Sequence, residues 1–119
     1  MIKKTNNRMI RINDEIGREI SNIIRGDLKD PRLSTITTVV SVETTTNLSQ
    51  SKVYVSIMGD KEEKDKGLDA LKNASGFIRK ELASRINLRN TPELKFILDE
   101  TLDQSMKIGS ILKDIENND

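Results

Sequence analysis

The residues of this chain that could do chemistry are concentrated in the stretch LKNASGFIRKELASRI, residues 71–86. Three small residues, Ala-Ser-Gly at positions 74–76, interrupt a pattern that is otherwise helical, and Arg79 and Lys80 follow soon after. Small residues let a polyanion backbone approach closely, and free amides at a helix N-terminus favour phosphate. The stretch therefore indicates a nucleic-acid contact made jointly by backbone and basic side chains.

Helical spacing divides the second half of this stretch into two faces. At about 100° per residue, an apolar arc of about 80° consists of Ile78, Leu82 and Ile86. The other side, within about 40° of Gly76, consists of Lys80, Ala83 and Asn87. Arg79 flanks this side, and Arg85 and Arg89 extend its charge. We therefore expect an exposed face that begins with a residue lacking a side chain and continues with cations.

The residues at the break also have structural explanations. Gly76 could allow close helix packing, at a cost of about 1 kcal/mol relative to Ala. It could instead end one helix before another begins, or be incidental. Ser75 could cap the second helix or donate to a phosphate. Phe77 could stack on a base, but we expect it to pack in the core.

Composition excludes several classes of site. The 119 residues include no cysteine and no histidine, which rules out disulfides, thiolate or imidazole metal sites and Ser-His-Asp triads. No apolar run approaches the roughly 20 residues that span a bilayer, and the start, MIKKTNNRMIRIND, lacks the apolar core of a signal peptide. We expect a soluble, cytoplasmic protein without a cofactor or metal.

The net charge of +1 hides an uneven distribution. Residues 1–34 carry 8 Lys/Arg against 5 Asp/Glu, and residues 61–90 carry the same numbers. Residues 35–60 carry 1 against 2, and residues 91–119 carry 3 against 7. This segregation is compatible with a positive patch on a nearly neutral protein, although ordinary solvated helix faces would give the same counts.

Hydrophobic periodicity predicts the elements of the first half. A helical stripe that should end near Gly26 consists of Met9, Ile12, Ile16, Ile20 and Ile23. Another face of that helix carries Arg8, Arg11 and Arg18. Two β-branched segments joined by a short polar connection then predict an antiparallel hairpin. Their shared faces are Val40 with Val42 in the first strand, and Val53, Val55 and Ile57 in the second.

The second half contains two more helical regions around a short strand. Asp60 and Glu63 fit a capping box at the start of the interrupted helix, whose stripe begins with Leu68 and Leu71. The strand is KFILD, and Thr101 with Gln104 resembles a second capping box. A three-stranded sheet packed on one face by helices would bury these stripes. We therefore predict one α+β domain over residues 1–119, with a core of about 6–100, a C-terminal helix of about 101–116 and a flexible tail.

Four motifs in the order found here resemble one family. The kinked helix pair NASGFIRKEL is similar to the KH-fold variant in which an Ala-x-Gly kink replaces the GxxG loop that clamps a nucleic-acid backbone. The other three are ISNIIRGDLKDPRL, KVYVSIMGD and TPELKFILDETL. Together they resemble bacterial ribosome-binding factor A over nearly the whole chain. The sequence departs from the family pattern at Asn47, Ser51 and Thr101, where Asp, Ala and Ser are usual.

The resemblance implies a type II KH-like domain and a non-enzymatic role. Family members bind the free small (30S) ribosomal subunit and its 16S rRNA, assist late maturation and 5′-end processing, matter most in the cold, and leave before translation. The implied protein is a cytoplasmic monomer, and an assembly GTPase that promotes release is a further candidate partner. Pro31 and Arg32 are signature positions for which a structural loop role is expected at least as much as a contact.

The resulting hypothesis is an RNA-binding assembly factor. Its predicted RNA-contacting residues are Asn73, Ala74, Ser75, Gly76, Arg79, Lys80 and Arg85, with Arg8 and Arg11 as outlying contacts. One alternative is a general single-stranded RNA-binding KH domain. Another is a protein-interaction module using the strand edge and the acidic last helix. A carboxylate hydrolase with a divalent ion is a third.

Overall fold

The computed structural model describes residues 7–28 and 37–100, and its elements follow the predicted order. They are α1 (Asn7–Gly26), β1 (Thr37–Thr44), β2 (Gln50–Ile57), α2 (Lys61–Asn73), α3 (Ser75–Arg85) and β3 (Glu93–Leu98). The predicted α+β class is confirmed. The expected C-terminal helix and the loop containing Pro31 and Arg32 lie outside the described residues.

The apolar stripe of α1 is buried as predicted. Ile16, Ile20 and Ile23 are fully buried, Ile12 is nearly so, and Met9 packs half-buried against the same core. Each fully buried isoleucine contributes about 1.5–3 kcal/mol relative to an exposed one. The helix ends at the predicted glycine, where the amides of residues 27 and 28 both donate to the Ile23 carbonyl at 2.8 and 3.1 Å.

The three strands form one mixed sheet in the order β1-β2-β3. β1 and β2 form the predicted antiparallel hairpin, whereas β2 and β3 are parallel. A parallel pair needs a crossover connection, which α2 and α3 supply. The predicted buried face of β2 is confirmed, since Val53, Val55 and Ile57 have at most 2% exposure.

A β-bulge in β1 overturns one predicted face. We expected Val40 and Val42 on the same side, but Val39 pairs with Val55 and Ser41 with Tyr54, which leaves Val40 as the extra residue. Two residues of one strand then oppose one of its neighbour, and the alternation shifts. Val40 is consequently 49% exposed while Val42 is buried.

Asn47, in the hairpin connection, and Ser51, in β2, both depart from the family pattern, and the side chains of both are hydrogen-bonded. The Asn47 side-chain oxygen accepts from the Ser49 amide at 3.1 Å and from its hydroxyl at 2.7 Å. Ser51 is fully buried, and its hydroxyl lies 2.8 Å from that of Thr44. A buried hydroxyl without a partner would be destabilising, so the hydrogen bond explains how serine is tolerated here.

The predicted capping box begins α2. The Glu63 amide donates to the Asp60 carboxylate at 2.8 Å, and the Asp60 amide donates back to the Glu63 side chain at 3.3 Å. The apolar stripe then runs through both helices as expected. Its buried members are Leu71, Ile78, Leu82 and Ile86, and Leu68 packs half-buried against them. The opposite face of α3 is left to solvent.

Candidate nucleic-acid interface

The joint between α2 and α3 is a single residue, Ala74. Its φ of −90° and ψ of 0° end one helix and begin the next. Its amide donates to the Ala70 carbonyl at 3.0 Å, and its own carbonyl accepts from the Ile78 amide at 2.9 Å. No side chain caps α3, and Ala74 occupies the cap position while Ser75 is the first residue of the helix. Of the two roles considered for Ser75, the helix cap is therefore wrong.

Gly76 occupies an exposed helical position with no local requirement for glycine. An added Cβ would meet no atom within 4 Å, and the backbone is not in the positive-φ region. The explanation that Gly76 permits close helix packing is therefore wrong. It does not end a helix either, since it is the second residue of α3. Glycine makes the helix about 1 kcal/mol less stable than alanine would. Its missing side chain leaves the surface open at this position.

The exposed face predicted from helical spacing is present beside it. Gly76, Lys80 and Ala83 are exposed along α3, whereas Asn87, which is also exposed, lies beyond the end of the helix at Arg85 and is not placed by helical spacing. Among the described residues Lys80 has no ion pair or hydrogen bond. Asn73 is exposed at the end of α2, whereas Ala74 and Ser75 are half-buried. The structure thus brings the open position at Gly76 and a cation without a partner among the described residues onto one surface.

Arg79 is held to the loop before β3. Its Nε and Nη2 donate to the Thr91 carbonyl oxygen at 3.2 and 2.9 Å. A carbonyl does not neutralise the guanidinium charge, and the side chain remains exposed. Arg79 therefore keeps its charge at the edge of the Gly76 face, in a fixed direction.

Arg85, by contrast, is surrounded by carboxylates. Its guanidinium lies 2.5 Å from Asp27, 3.5 Å from Glu19 and 4.0 Å from Glu81. Two of these partners come from α1 and the residue that follows it. This geometry favours a structural role for Arg85, joining α3 to α1, over phosphate neutralisation.

Phe77 lies on the surface, contrary to our expectation of core packing. Its side chain is 43% exposed and belongs to neither the buried core nor the residues packed against it. Position 77 precedes the buried Ile78, and rotation by about 100° takes its side chain off the core face. An aromatic ring is therefore available next to Gly76.

The outlying arginines lie elsewhere, at the far end of α3. Arg8 and Arg11 line a cleft of about 510 Å³ between the start of α1 and the loop after α3. Arg89 and Asn87 line the same cleft. The predicted RNA-contacting residues are thus divided between two places, because the length of α3 separates the joint at Ala74 from the start of α1.

The interface carries no sign of acid–base or metal chemistry in the described part of the chain. Across residues 7–28 and 37–100, no group of three or more carboxylates could hold a metal ion. The shifted pKa values lie elsewhere: burial and then Glu43 raise the pKa of Tyr54, and the hydrogen bond that Lys66 donates to Glu62 raises the pKa of Lys66. None of the helices described is long and apolar enough to cross a membrane.

The antiparallel hairpin β1–β2 comes first in the chain, and the kinked helix pair α2–α3 then connects the parallel strands β2 and β3. This topology defines a type II KH-like domain in which an Ala-x-Gly kink replaces the GxxG loop. A sequence model of ribosome-binding factor A matches residues 8–112. The chain belongs to the ribosome-binding factor A family, whose members are not enzymes, and both predictions are confirmed.

Relatives of the same name cover almost the whole chain. One from Agathobacter rectalis is 43% identical over 117 residues, 98% of this chain and 97% of the relative. One from Clostridium botulinum strain Okra is 47% identical over 109 residues, 92% of this chain and 91% of the relative. The similarity to these relatives therefore extends over at least 92% of the chain and is not confined to one motif.

Solved structures agree with the fold. The crystal structure of ribosome-binding factor A from Thermus thermophilus has a TM-score of 0.67 at 29% identity, covering 76% of this chain and 93% of that one. A homology model of the Thermus thermophilus factor, fitted into a cryo-EM map of its complex with 30S, has a TM-score of 0.60 at 30% identity. It covers 73% of this chain and 90% of that one.

Proposed function

We propose that this protein is a ribosome assembly factor that binds the free small (30S) subunit through its 16S rRNA. It aids late maturation, including 5′-end processing of the rRNA precursor, and matters most for growth in the cold. It acts as a cytoplasmic monomer, and an assembly GTPase is a candidate for promoting its release. Family membership supports this role, as does the 30S complex of the Thermus thermophilus factor.

The observation that carries the RNA-binding role is the open surface at Gly76 beside the exposed Lys80, which has no ion pair with any residue that the structure describes. A phosphodiester backbone can lie against residues 73–76 because nothing projects from Gly76. Lys80 and Arg79 then neutralise phosphates on either side. Arg85 acts indirectly, by holding α3 against α1 through Glu19 and Asp27.

Recognition by this surface is led by phosphates and RNA shape. The chain has only three aromatic residues, too few for successive bases to stack along it. Phe77, exposed beside Gly76, supplies a single stacking surface. The protein therefore holds a folding intermediate of the subunit RNA through the RNA phosphates, with one base-stacking contact.

Co-sedimentation with purified small subunits, large subunits and joined ribosomes tests the proposal. Wild type should bind only free small subunits, and Arg79→Glu/Lys80→Glu should lose that binding. The matched control is Lys52→Glu/Lys95→Glu, which changes the charge equally on exposed positions of neighbouring strands. Thermal unfolding of every variant establishes that it is folded.

Each remaining outcome points to a different function. Equal binding to short single-stranded RNAs and to subunits would favour a general RNA-binding KH domain. Small-subunit binding that survives moderate salt and the Arg79→Glu/Lys80→Glu substitutions would favour a protein-interaction module. The maturation role requires a deletion strain to accumulate 5′-extended 16S precursor, more so in the cold; a normal 5′ end at low temperature would contradict it.

A further inference from the structure

The cleft at the start of α1 combines positive charge with an apolar floor. Arg8, Arg11 and Arg89 line it from two separate segments of the chain. Ile12 and Ile86, both under 8% exposed, lie between them, and Leu88 is half-buried beside these. Charges act more strongly beside low-dielectric groups than in open water, so the cleft is suited to an anion.

The charge of this cleft is only partly balanced. Among the lining residues that the structure describes, Glu15 is the one carboxylate. Arg11 and Arg89 make no ion pair or hydrogen bond with any residue that the structure describes. Arg85, a few residues before Arg89, has three carboxylates around it. The guanidinium of arginine presents paired N–H donors that can bind a phosphate bidentately. The guanidiniums of Arg11 and Arg89 both remain available for such a contact.

We propose that this cleft binds a phosphodiester group of single-stranded RNA, as a second binding site distinct from the Gly76 surface. The inference rests on the proposed function, since it identifies a further contact of the same RNA. The Arg11 and Arg89 guanidiniums hold the phosphate oxygens, and the Asn87 carboxamide is placed to contact the adjoining sugar or base.

The exposed face of α3 connects the two sites. α3 has 11 residues, a length of about 16 Å at 1.5 Å per residue. Lys80 and the small Ala83 lie on this face between Gly76 and Asn87, and all four are exposed. One RNA strand can therefore run along α3 from the kink to the cleft, meeting Lys80 and the small Ala83 on the way.

The test is the salt dependence of binding to a single-stranded RNA oligonucleotide and to small subunits. Arg11→Gln/Arg89→Gln should lower the slope of log affinity against log salt by about 0.7, since the two arginines hold one phosphate and each phosphate neutralised on a single strand contributes about that much. Affinity should fall roughly tenfold or more, as for loss of charge-assisted hydrogen bonds. Lys52→Gln/Lys95→Gln, with the same charge change, should leave both quantities unchanged.

A second variant and a competition experiment complete the design. Asn87→Glu adds a negative charge to the cleft without removing an arginine, and should also weaken RNA binding. Inorganic phosphate should not displace RNA more than chloride does at equal ionic strength; selective displacement would assign the cleft to a free anion and overturn the RNA assignment. Wild-type slopes for both cleft variants, with binding still lost in Arg79→Glu/Lys80→Glu, would overturn the second site alone. Absence of RNA and subunit binding by wild type would overturn the proposed function itself.

Discussion

The two sides of α3 use basic residues in opposite ways. On the side facing α1, Arg85 is held by Glu19, Asp27 and Glu81 and ties two helices together. On the exposed side, Lys80 stands beside the bare backbone at Gly76 without a carboxylate partner among the described residues. A basic residue contributes to a binding surface only where the fold leaves its charge unmatched, and its position in a helical pattern does not decide this.

The largest expected effect comes from filling the open surface. Gly76→Val should weaken small-subunit binding by tenfold or more, because its side chain holds the RNA backbone away. Gly76→Ala should weaken binding less while raising the free energy of unfolding by up to about 1 kcal/mol, since alanine is the better helix former and meets no atom within 4 Å. Urea denaturation and co-sedimentation measure the two quantities. Wild-type binding by both variants would remove the close-approach explanation for Gly76.

Replacing the exposed aromatic ring should give the next largest effect. Phe77→Ala should reduce RNA affinity by about 1–3 kcal/mol, the usual range for loss of one base-stacking contact. The free energy of unfolding should change little, since the ring is 43% exposed. Phe77→Tyr keeps the stacking surface and serves as the matched control. A large loss of stability with unchanged affinity would restore the core-packing interpretation.

The smallest effect separates the two sides of α3 directly. Arg85→Met should lower the free energy of unfolding by about 1 kcal/mol through loss of its partly exposed ion pairs, with the salt slope of RNA binding unchanged. Lys80→Met should do the reverse, changing stability by less than about 0.5 kcal/mol and lowering the slope by about 0.7. If both variants lower the slope equally, the distinction between a paired and an exposed side of α3 is wrong.

Local patterns predicted most of the fold because the helices bury continuous apolar stripes, one on α1 and one that runs through α2 and α3. The four isoleucines of the predicted α1 stripe and the Asp60–Glu63 box depend on residues within a few positions of one another. The bulge at Val40 could not be predicted, since it depends on the register that β1 adopts against β2.

The site was predicted less completely, for the same reason. Gly76 and Lys80 follow from helical spacing, but the pairing of Arg85 depends on carboxylates some 60 positions away in the sequence. The cleft likewise joins Arg11 to Arg89, two residues that no local pattern connects. The prediction that Phe77 packs in the core was wrong because it relied on the hydrophobicity of the side chain and not on its angular position on the helix, next to Ile78.

The one-residue joint at Ala74 also affects the entropy of binding. A mobile loop at this position would have to be ordered when RNA binds, at about 1–2 kcal/mol per residue in backbone entropy alone. Ala74 is already fixed, since its amide and its carbonyl both belong to helical hydrogen bonds. For the RNA contact proposed above, this part of the surface is therefore preorganised, and more of the contact energy would appear as affinity.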